Sequence, residues 1–479
     1  MYDMTYPMIV LLALCCGAAL VNWRQAIFLT IVLDAFRDPM RKLTPNQPVW
    51  MSQAIVLVWL LIFLNCLSQN ARLIHSIRKV FPRSREGTFF LIAALIPGAI
   101  VSFVSYSNGW ILVVIGALSY LGPLLGLLIG AAFADRTQDV YRFMKLYVLI
   151  NALVLVGSVA EHYGWNWPGL GGLIGFEWIR HMPGVLVRMV SGFFRSPDIA
   201  GFHAAHVVIF SLVLAVPQSR TATARPHWLP PGLLGLFALF LAGRRKMFSI
   251  PVIFLIVWLV IDLLRRQKGS KNLLLFAGTA MVIVGAGAFY FVEDDSDLEH
   301  HQIYMSTTVF DILPKLYEHS FQGSVVTVNQ SGIMGSGLGV ATQGAQYSGA
   351  DRVKAWQEDG VSRLFKELGV IGVILLIMAA SQFVKEFRRA FRMPIRDTAR
   401  VILQNAGIAI FIANIACFAV SHQHISGDVA NGILPLLFLG GVFGHVLGDL
   451  KTAQAVPARP GAFGVRPMFP PVMSAGNLK

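Results

Sequence analysis

Residues 110–133 read WILVVIGALSYLGPLLGLLIGAAF, a run without a single Asp, Glu, Lys or Arg. As a helix rising 1.5 Å per residue it reaches about 36 Å, enough to cross the ~30 Å hydrocarbon core of a bilayer. It is too long for a strand and has no polar face to turn to water, so it reads as a membrane span. The same signature recurs on both sides, at 6–21, 50–68, 88–106, 144–160, 202–217, 228–243, 248–264, 272–292, 364–383, 402–420 and 428–449. That makes twelve spans. The run 25–36 is short, and it is either an interfacial helix or a thirteenth span, which leaves the side of the N-terminus open. The piece after it, LDAFRDPMRKLTP (33–45), is amphipathic and is expected to lie along the membrane surface.

Composition agrees. The chain has 479 residues, 55% hydrophobic and 13% charged, with a mean hydropathy of +0.63. Soluble domains carry about 25% charged residues. A soluble enzyme, a disordered chain and a small secreted scaffold are excluded. The expected fold is an all-α polytopic membrane protein of twelve or thirteen transmembrane helices. Residues 1–292 form an N-terminal bundle, 293–363 one large periplasmic loop with short helices, and 364–449 three last spans. Residues 450–479 hold five prolines and no apolar period, and read as a disordered cytoplasmic tail. Cys15, Cys16, Cys66 and Cys417 all lie in apolar runs, which points to neither disulfides nor a zinc site. With no basic region before it, the first run is expected to be a retained span.

The net charge of +14 is concentrated in short connections. Residues 72–86 hold five basic groups and one acid, 265–271 four basic groups, and 385–400 six basic groups and two acids. Short basic links mark the cytoplasmic side, and no basic–aromatic module accompanies them to suggest nucleic-acid binding. With those links inside, 161–201 and 293–363 fall outside. The second of these holds ten acids and four basic residues. The link Gly243-Arg244-Arg245-Lys246-Met247 then also falls outside, where three consecutive cations are disfavoured. Either a span boundary is misplaced, or the arginines snorkel to the headgroup layer, or they bind an anion through their planar donor forks.

The outer loops offer further candidates. Residues 161–201 carry Arg180, Arg188 and Arg195, with Trp165, Trp167 and Trp178 suited to the membrane interface or to sugar stacking. Within them SGFFRSPDIAG (191–201) places Asp198 to cap the next helix or to do chemistry. VEDDSDLEHH (292–301) reads as a solvated acidic face rather than a cation site, and an amphipathic helix is expected near 303–320. Gly332, Gly335, Gly337 and Gly339 form a glycine-rich stretch with no following Gly-Lys-Ser/Thr, so it is not a Walker loop. It is either a flexible loop or a cradle of backbone N–H groups for phosphate oxygens. A helix is expected over 351–366, carrying Glu358 and Arg363, an acid able to serve as base and a cation able to hold phosphate, or else an ordinary surface pair. The turn SHQHISGD (421–428) has His422, His424 and Asp428, and reads as an interfacial turn with a capping Asp.

Taken together these pieces resemble the O-antigen ligase and O-antigen polymerase superfamily of envelope polysaccharide enzymes. Matching features are about twelve spans, one large external loop before the last spans, its Gly-x-Gly-rich entry, and the loop exit Leu364-Phe365-Lys366-Glu367-Leu368-Gly369-Val370-Ile371-Gly372. SGFFRSPDIAG resembles the family's G-x-F-x-x-P segment and GRRKM its external arginine motif. The topology covers most of the chain, the motifs about 60 residues. One departure stands out: nine residues before Glu367, where family ligases usually carry His-Asn, this chain has Glu358-Asp359. That departure favours a polysaccharide polymerase over a lipid A–core ligase.

The resemblance implies glycosyl transfer outside the inner membrane. The donor is a glycan on undecaprenyl pyrophosphate and the acceptor a lipid-linked or other glycan, with inversion and with no metal, nucleotide sugar or other cofactor invoked. It assigns Glu358 as the base, and Arg244, Arg245 and Arg363 to the pyrophosphate, with Arg188 or Arg195 in support. Gly335, Gly337 and Gly339 form the substrate loop. Implied partners are the lipid-linked glycan, membrane lipid and a chain-length regulator. The rival readings are a flippase or transporter, expected to carry more ionisable residues in mid-membrane than His203 and His206, and a structural partner of an envelope assembly complex.

Overall fold

The computed structural model describes residues 3–173, 178–182, 185–217, 223, 225–265, 278, 299–304, 317–342, 345, 359–422, 425 and 427–455. Within these, nine helices are long and apolar enough to cross a membrane: Val49–Gln69, Ser84–Ser105, Gly109–Phe133, Thr137–His162, Pro197–Ala215, Arg245–Leu264, Gly360–Arg392, Thr398–Val420 and Val429–Thr452. Each coincides with an expected span. Three of the twelve do not join them. Residues 272–292 lie outside the described residues apart from Gly278. The other two are apolar helices shorter than these nine, of 17 residues (Thr5–Val21) and 13 residues (Leu229–Leu241).

The run 25–36 belongs to a helix of 21 residues, Trp23–Leu43, here α1. The expectation of a surface-lying segment at 33–45 is corrected: Arg37, Asp38, Arg41 and Lys42 are all buried. Its polar face turns into the bundle because carboxylates and carbonyls from distant loops meet it there. The described residues are almost wholly helical, as an all-α membrane protein requires. Beside the helices, the 161–201 loop holds one small antiparallel hairpin, β1 (Ile179–Met182) on β2 (Val185–Arg188). At the C-terminus the last helix runs on through Ala455, into what reads from sequence as tail; residues 456–479 lie outside the described residues.

The core sits around α2 (Pro197–Ala215), every residue of which is buried. Around the periphery, large apolar side chains stay exposed, among them Phe89, Val104, Leu153 and Ile377. In water such a surface would aggregate; against lipid it is the expected outer face. Helices α3 (Gly109–Phe133) and α4 (Val429–Ala455) approach closely through small residues. A Cβ on Gly126 would come 2.4 Å from the Ile433 carbonyl, and one on Gly440 would come 2.0 Å from that of Leu127. Spaced by four, Gly122, Gly126 and Gly130 line one face, the small-residue packing of membrane helices.

The connections gather at two ends. At one, the basic stretches meet: the Arg83 N–H donates to Glu386 (2.8 Å) and Arg265 donates to the Phe391 carbonyl (3.0 Å). The other end carries the hairpin, the GRRKM link, Asp359 and the turn 421–428. We call it the hairpin end.

Candidate functional site: paired motifs at the hairpin end

The segment Ser191–Arg195 leads into α2 and is clamped on all sides. Glu161 accepts hydrogen bonds from the N–H groups of Ser191 (3.0 Å) and Gly192 (2.6 Å). Lys42 donates to the carbonyls of Gly192 (2.9 Å) and Phe194 (2.6 Å). The Arg195 N–H donates to Asp38 (3.1 Å). The Arg195 guanidinium pairs with Asp38 (3.1 Å) and Asp428 (2.8 Å) and also donates to the Gly427 carbonyl. Arg37 pairs with the same Asp428 oxygen and with Asp34 (2.6 Å). Two cations, Arg37 and Arg195, thus pair with three carboxylates, Asp34, Asp38 and Asp428, while Lys42 is held by backbone carbonyls beside them. Burial alone would push the Asp428 carboxyl up, but Arg37 and Arg195 outweigh it and hold its pKa below the usual carboxylate range. Burial likewise opposes the charge on Arg195, and Asp38 and Asp428 restore it, raising its pKa.

Three residues on, Asp198 does not cap α2. The cap position is Ser196, and the Asp198 carboxylate instead pairs with Arg244 (3.0 Å) and Lys246 (2.9 Å) of the GRRKM link. Arg244 also lies over the Trp178 ring (5.0 Å) and Arg245 over Tyr304 (4.3 Å), while Lys246 donates to the Ser421 hydroxyl (2.5 Å). SGFFRSPDIAG and GRRKM are therefore in direct contact.

The glycine-rich loop and the loop exit form a second pair. Helix α5 (Gly360–Arg392) starts with Asp359 capping the Ser362 N–H (2.6 Å). Glu367 is fully buried and accepts from the Ala341 N–H (2.9 Å), the Thr342 hydroxyl (2.9 Å) and the Tyr120 hydroxyl (2.7 Å). Arg363 pairs with Glu367 (3.1 Å) and donates to Ser119 and Thr342, both at 2.8 Å. The glycines let the loop lie against helix backbone. Gly339 has φ +88°, and a Cβ there would come 2.1 Å from the Leu112 carbonyl oxygen. Gly335 would meet Gly369 N and Lys366 O in the same way, and Gly337 would meet Ser102.

Both pairs abut the end of helix α6 (Thr398–Val420). Lys246 reaches Ser421 just beyond it, and Gly360 packs so closely that a Cβ would come 2.3 Å from the Phe418 carbonyl. Among the residues singled out from sequence, Arg195 and Arg244 thus meet at one segment, 195–198, which contains Arg195 and whose Asp198 pairs with Arg244. Arg245 stands beside Arg244. Arg188 is exposed on the edge of β2 opposite Ile179. Arg363 sits apart from them in its own buried ion pair, and Gly335, Gly337 and Gly339 serve close packing. Glu358 lies outside the described residues.

The sequence reading missed Asp34, Arg37, Asp38, Lys42 and Glu161. The available signal was three charged residues, Asp34, Arg37 and Asp38, at i, i+3 and i+4, which share one helix face. It also undercounted ionisable groups inside the bundle: Asp34 faces His203 (3.4 Å), whose other ring nitrogen meets the Tyr147 hydroxyl (2.7 Å), and Asp262 accepts from Asn405 (2.8 Å). Compared with known proteins, the chain matches no protein-family model, no curated protein and no solved structure.

Proposed function

We propose that this protein is a glycosyltransferase of the bacterial inner membrane, acting at the hairpin end on the periplasmic side and joining a glycan from undecaprenyl pyrophosphate to a lipid-linked acceptor. The observation that carries the reading is the pairing of its motifs. Four segments spread from residue 191 to residue 372 meet two by two, through Asp198 with Arg244 and Lys246 and through Glu367 with Ala341 and Thr342, and both pairs adjoin the end of α6. Nothing in the packing of an apolar bundle requires three consecutive cations at the end opposite the basic links.

In this reading the acceptor hydroxyl oxygen attacks the anomeric carbon. The bond from that carbon to the phosphate oxygen breaks, its electron pair leaving with the diphosphate. The hydroxyl proton passes to Glu358. Arg244 and Arg245, held by Asp198, Trp178 and Tyr304, stabilise the charge that develops on the leaving group. Arg188 lies at the rim. Arg195 and Arg363, already engaged by carboxylates, position the segments that carry the others. The glycine-rich loop holds the acceptor side against α5. A chain-length regulator fits a polymerase, and the carboxylate Glu358 at the ligase histidine position favours that branch.

The direct test is reconstitution: purified protein in vesicles with undecaprenyl-pyrophosphate-linked repeat units. The reading predicts longer glycan and one undecaprenyl pyrophosphate released per bond formed, both lost in Arg244→Ala. Release without elongation would make it a hydrolase, and neither product would remove the transferase reading. The ionisable groups buried in α1 favour a second reading, a flippase for the same lipid-linked glycan, which would move the substrate across the vesicle without consuming it.

A further inference from the structure

Asp34, Tyr147 and His203 come from three different helices and form one polar chain inside the bundle. The His203 ring nitrogen Nδ1 meets the Tyr147 hydroxyl at 2.7 Å, and Nε2 faces an Asp34 carboxylate oxygen at 3.4 Å. The other Asp34 oxygen pairs with Arg37 (2.6 Å). The imidazole stacks on Phe194 (4.8 Å between centroids), in the segment that leads into α2. Asp34, Tyr147 and His203 line a cavity large enough to hold water, together with Trp59 and Asn431. Trp59 Nε1 and Asn431 Nδ2 have no hydrogen-bond partner among the described residues, so both are donors available to such a water.

This chain is satisfied with or without one added proton. Without it, the Tyr147 hydroxyl donates to Nδ1 and Nε2–H donates to the Asp34 carboxylate. With it, Nδ1–H donates to the Tyr147 oxygen, a proton again lies between Nε2 and Asp34, and the Tyr147 hydroxyl hydrogen is free for the cavity. Carboxylate–imidazole chains of this kind inside a membrane bundle serve as proton sites, and two such interacting groups titrate as a unit. The charged groups around the pair are Arg37 and Asp38 on α1, Arg41, which reaches Asp38 through Ser52, and Arg195 and Asp428 from the segments before α2 and α4. His206, one turn on, is turned away to the Phe202 carbonyl and Asn414. Helix Val49–Gln69, which brings Trp59, carries no Asp, Glu, Lys, Arg or His. We propose that Asp34 and His203 form a proton-binding site that takes up one proton as a unit, reached through water in the cavity. Asp34 ties this site to the hairpin end, because its partner Arg37 shares Asp428 with Arg195. A proton on the pair therefore loosens the hold on the segment 195–198. The site does not depend on the transferase reading.

The test uses the full chain in phosphatidylcholine nanodiscs and infrared difference spectra between about pH 8 and pH 5. Wild type is compared with Asp34→Asn, His203→Gln and Tyr147→Phe, each checked for folding by its sizing profile. Surface histidines titrate alike in all four and cancel on subtraction. Expected is a wild-type signal of about one proton per chain, as carboxylic acid or imidazolium, missing in both Asp34→Asn and His203→Gln. Tyr147→Phe, which leaves both ionisable groups in place, should keep it. Should Asp34→Asn not fold, His203→Gln carries the comparison. No such signal in wild type would overturn the proposal. So would its survival in Asp34→Asn or His203→Gln, the mark of one independent group, or its loss in Tyr147→Phe, the mark of damaged packing. No glycan is present, so none of these outcomes bears on the transferase reading.

Discussion

Asp428 places one carboxylate oxygen between the guanidiniums of Arg37 and Arg195, and all three side chains are at least nine-tenths buried. Removing a partner from a buried pair leaves an uncompensated charge, so Asp428→Asn should cost about 3–5 kcal/mol in denaturant unfolding. Its pKa is lowered in the fold, so its contribution is complete above the ordinary carboxylate value of about 3.9 and is lost as pH falls through the lower folded value. Unfolding midpoints should therefore show no Asp428-dependent change between pH 5 and pH 8, and wild type should approach the Asn variant only in strong acid. Asp198 makes a different prediction. In Asp198→Asn the two cations of GRRKM lose their shared carboxylate, and transfer activity should fall at least tenfold with the protein still inserted and folded, as kinetics beside a fluorescence-detected sizing profile would show. Residue types alone did not predict these pairings. Arg244 stood out because it belongs to three consecutive cations at the end opposite the other basic links. Asp428 and Arg37 are 391 positions apart, and no local pattern links them.

At the scale of elements, the long apolar helices were readable because a charge-free run of twenty residues has few other fates. Helix α1 was not. Its charges at 34, 37, 38, 41 and 42 give the same periodicity whether the polar face meets water or meets carboxylates and carbonyls from 150 or 390 residues away. The glycine-rich loop was recognised as a motif, but its reason lies in packing that only three dimensions reveal. Gly339→Ala should destabilise by about 2 kcal/mol or more, since it adds a clash with Leu112 to the strain of a left-handed backbone. Gly332→Ala, also at positive φ but with open space around it, should cost about 1–2 kcal/mol. Equal effects in paired unfolding curves would show that the loop does not lie against α3.

At the scale of the molecule, the basic links converge on one end and the paired motifs on the other, and the positive-inside rule then predicts an orientation that labelling can check. Leu186 and Lys79 are both exposed, at opposite ends. In intact cells a membrane-impermeant maleimide should label Leu186→Cys, and should label Lys79→Cys only after permeabilisation. The reverse pattern would put the motifs inside and remove the periplasmic reaction. The central claim is transfer from a polyprenyl-linked glycan, and the measurement that reaches it most directly is lipid-linked glycan analysis in a deletion strain complemented with wild type, Arg244→Ala or Glu358→Gln. The account predicts single-repeat undecaprenyl-linked glycan accumulating on the periplasmic face in the deletion and in both variants, and polymer only with wild type. Accumulation on the cytoplasmic face instead, or variants that make polymer as wild type does, would contradict it.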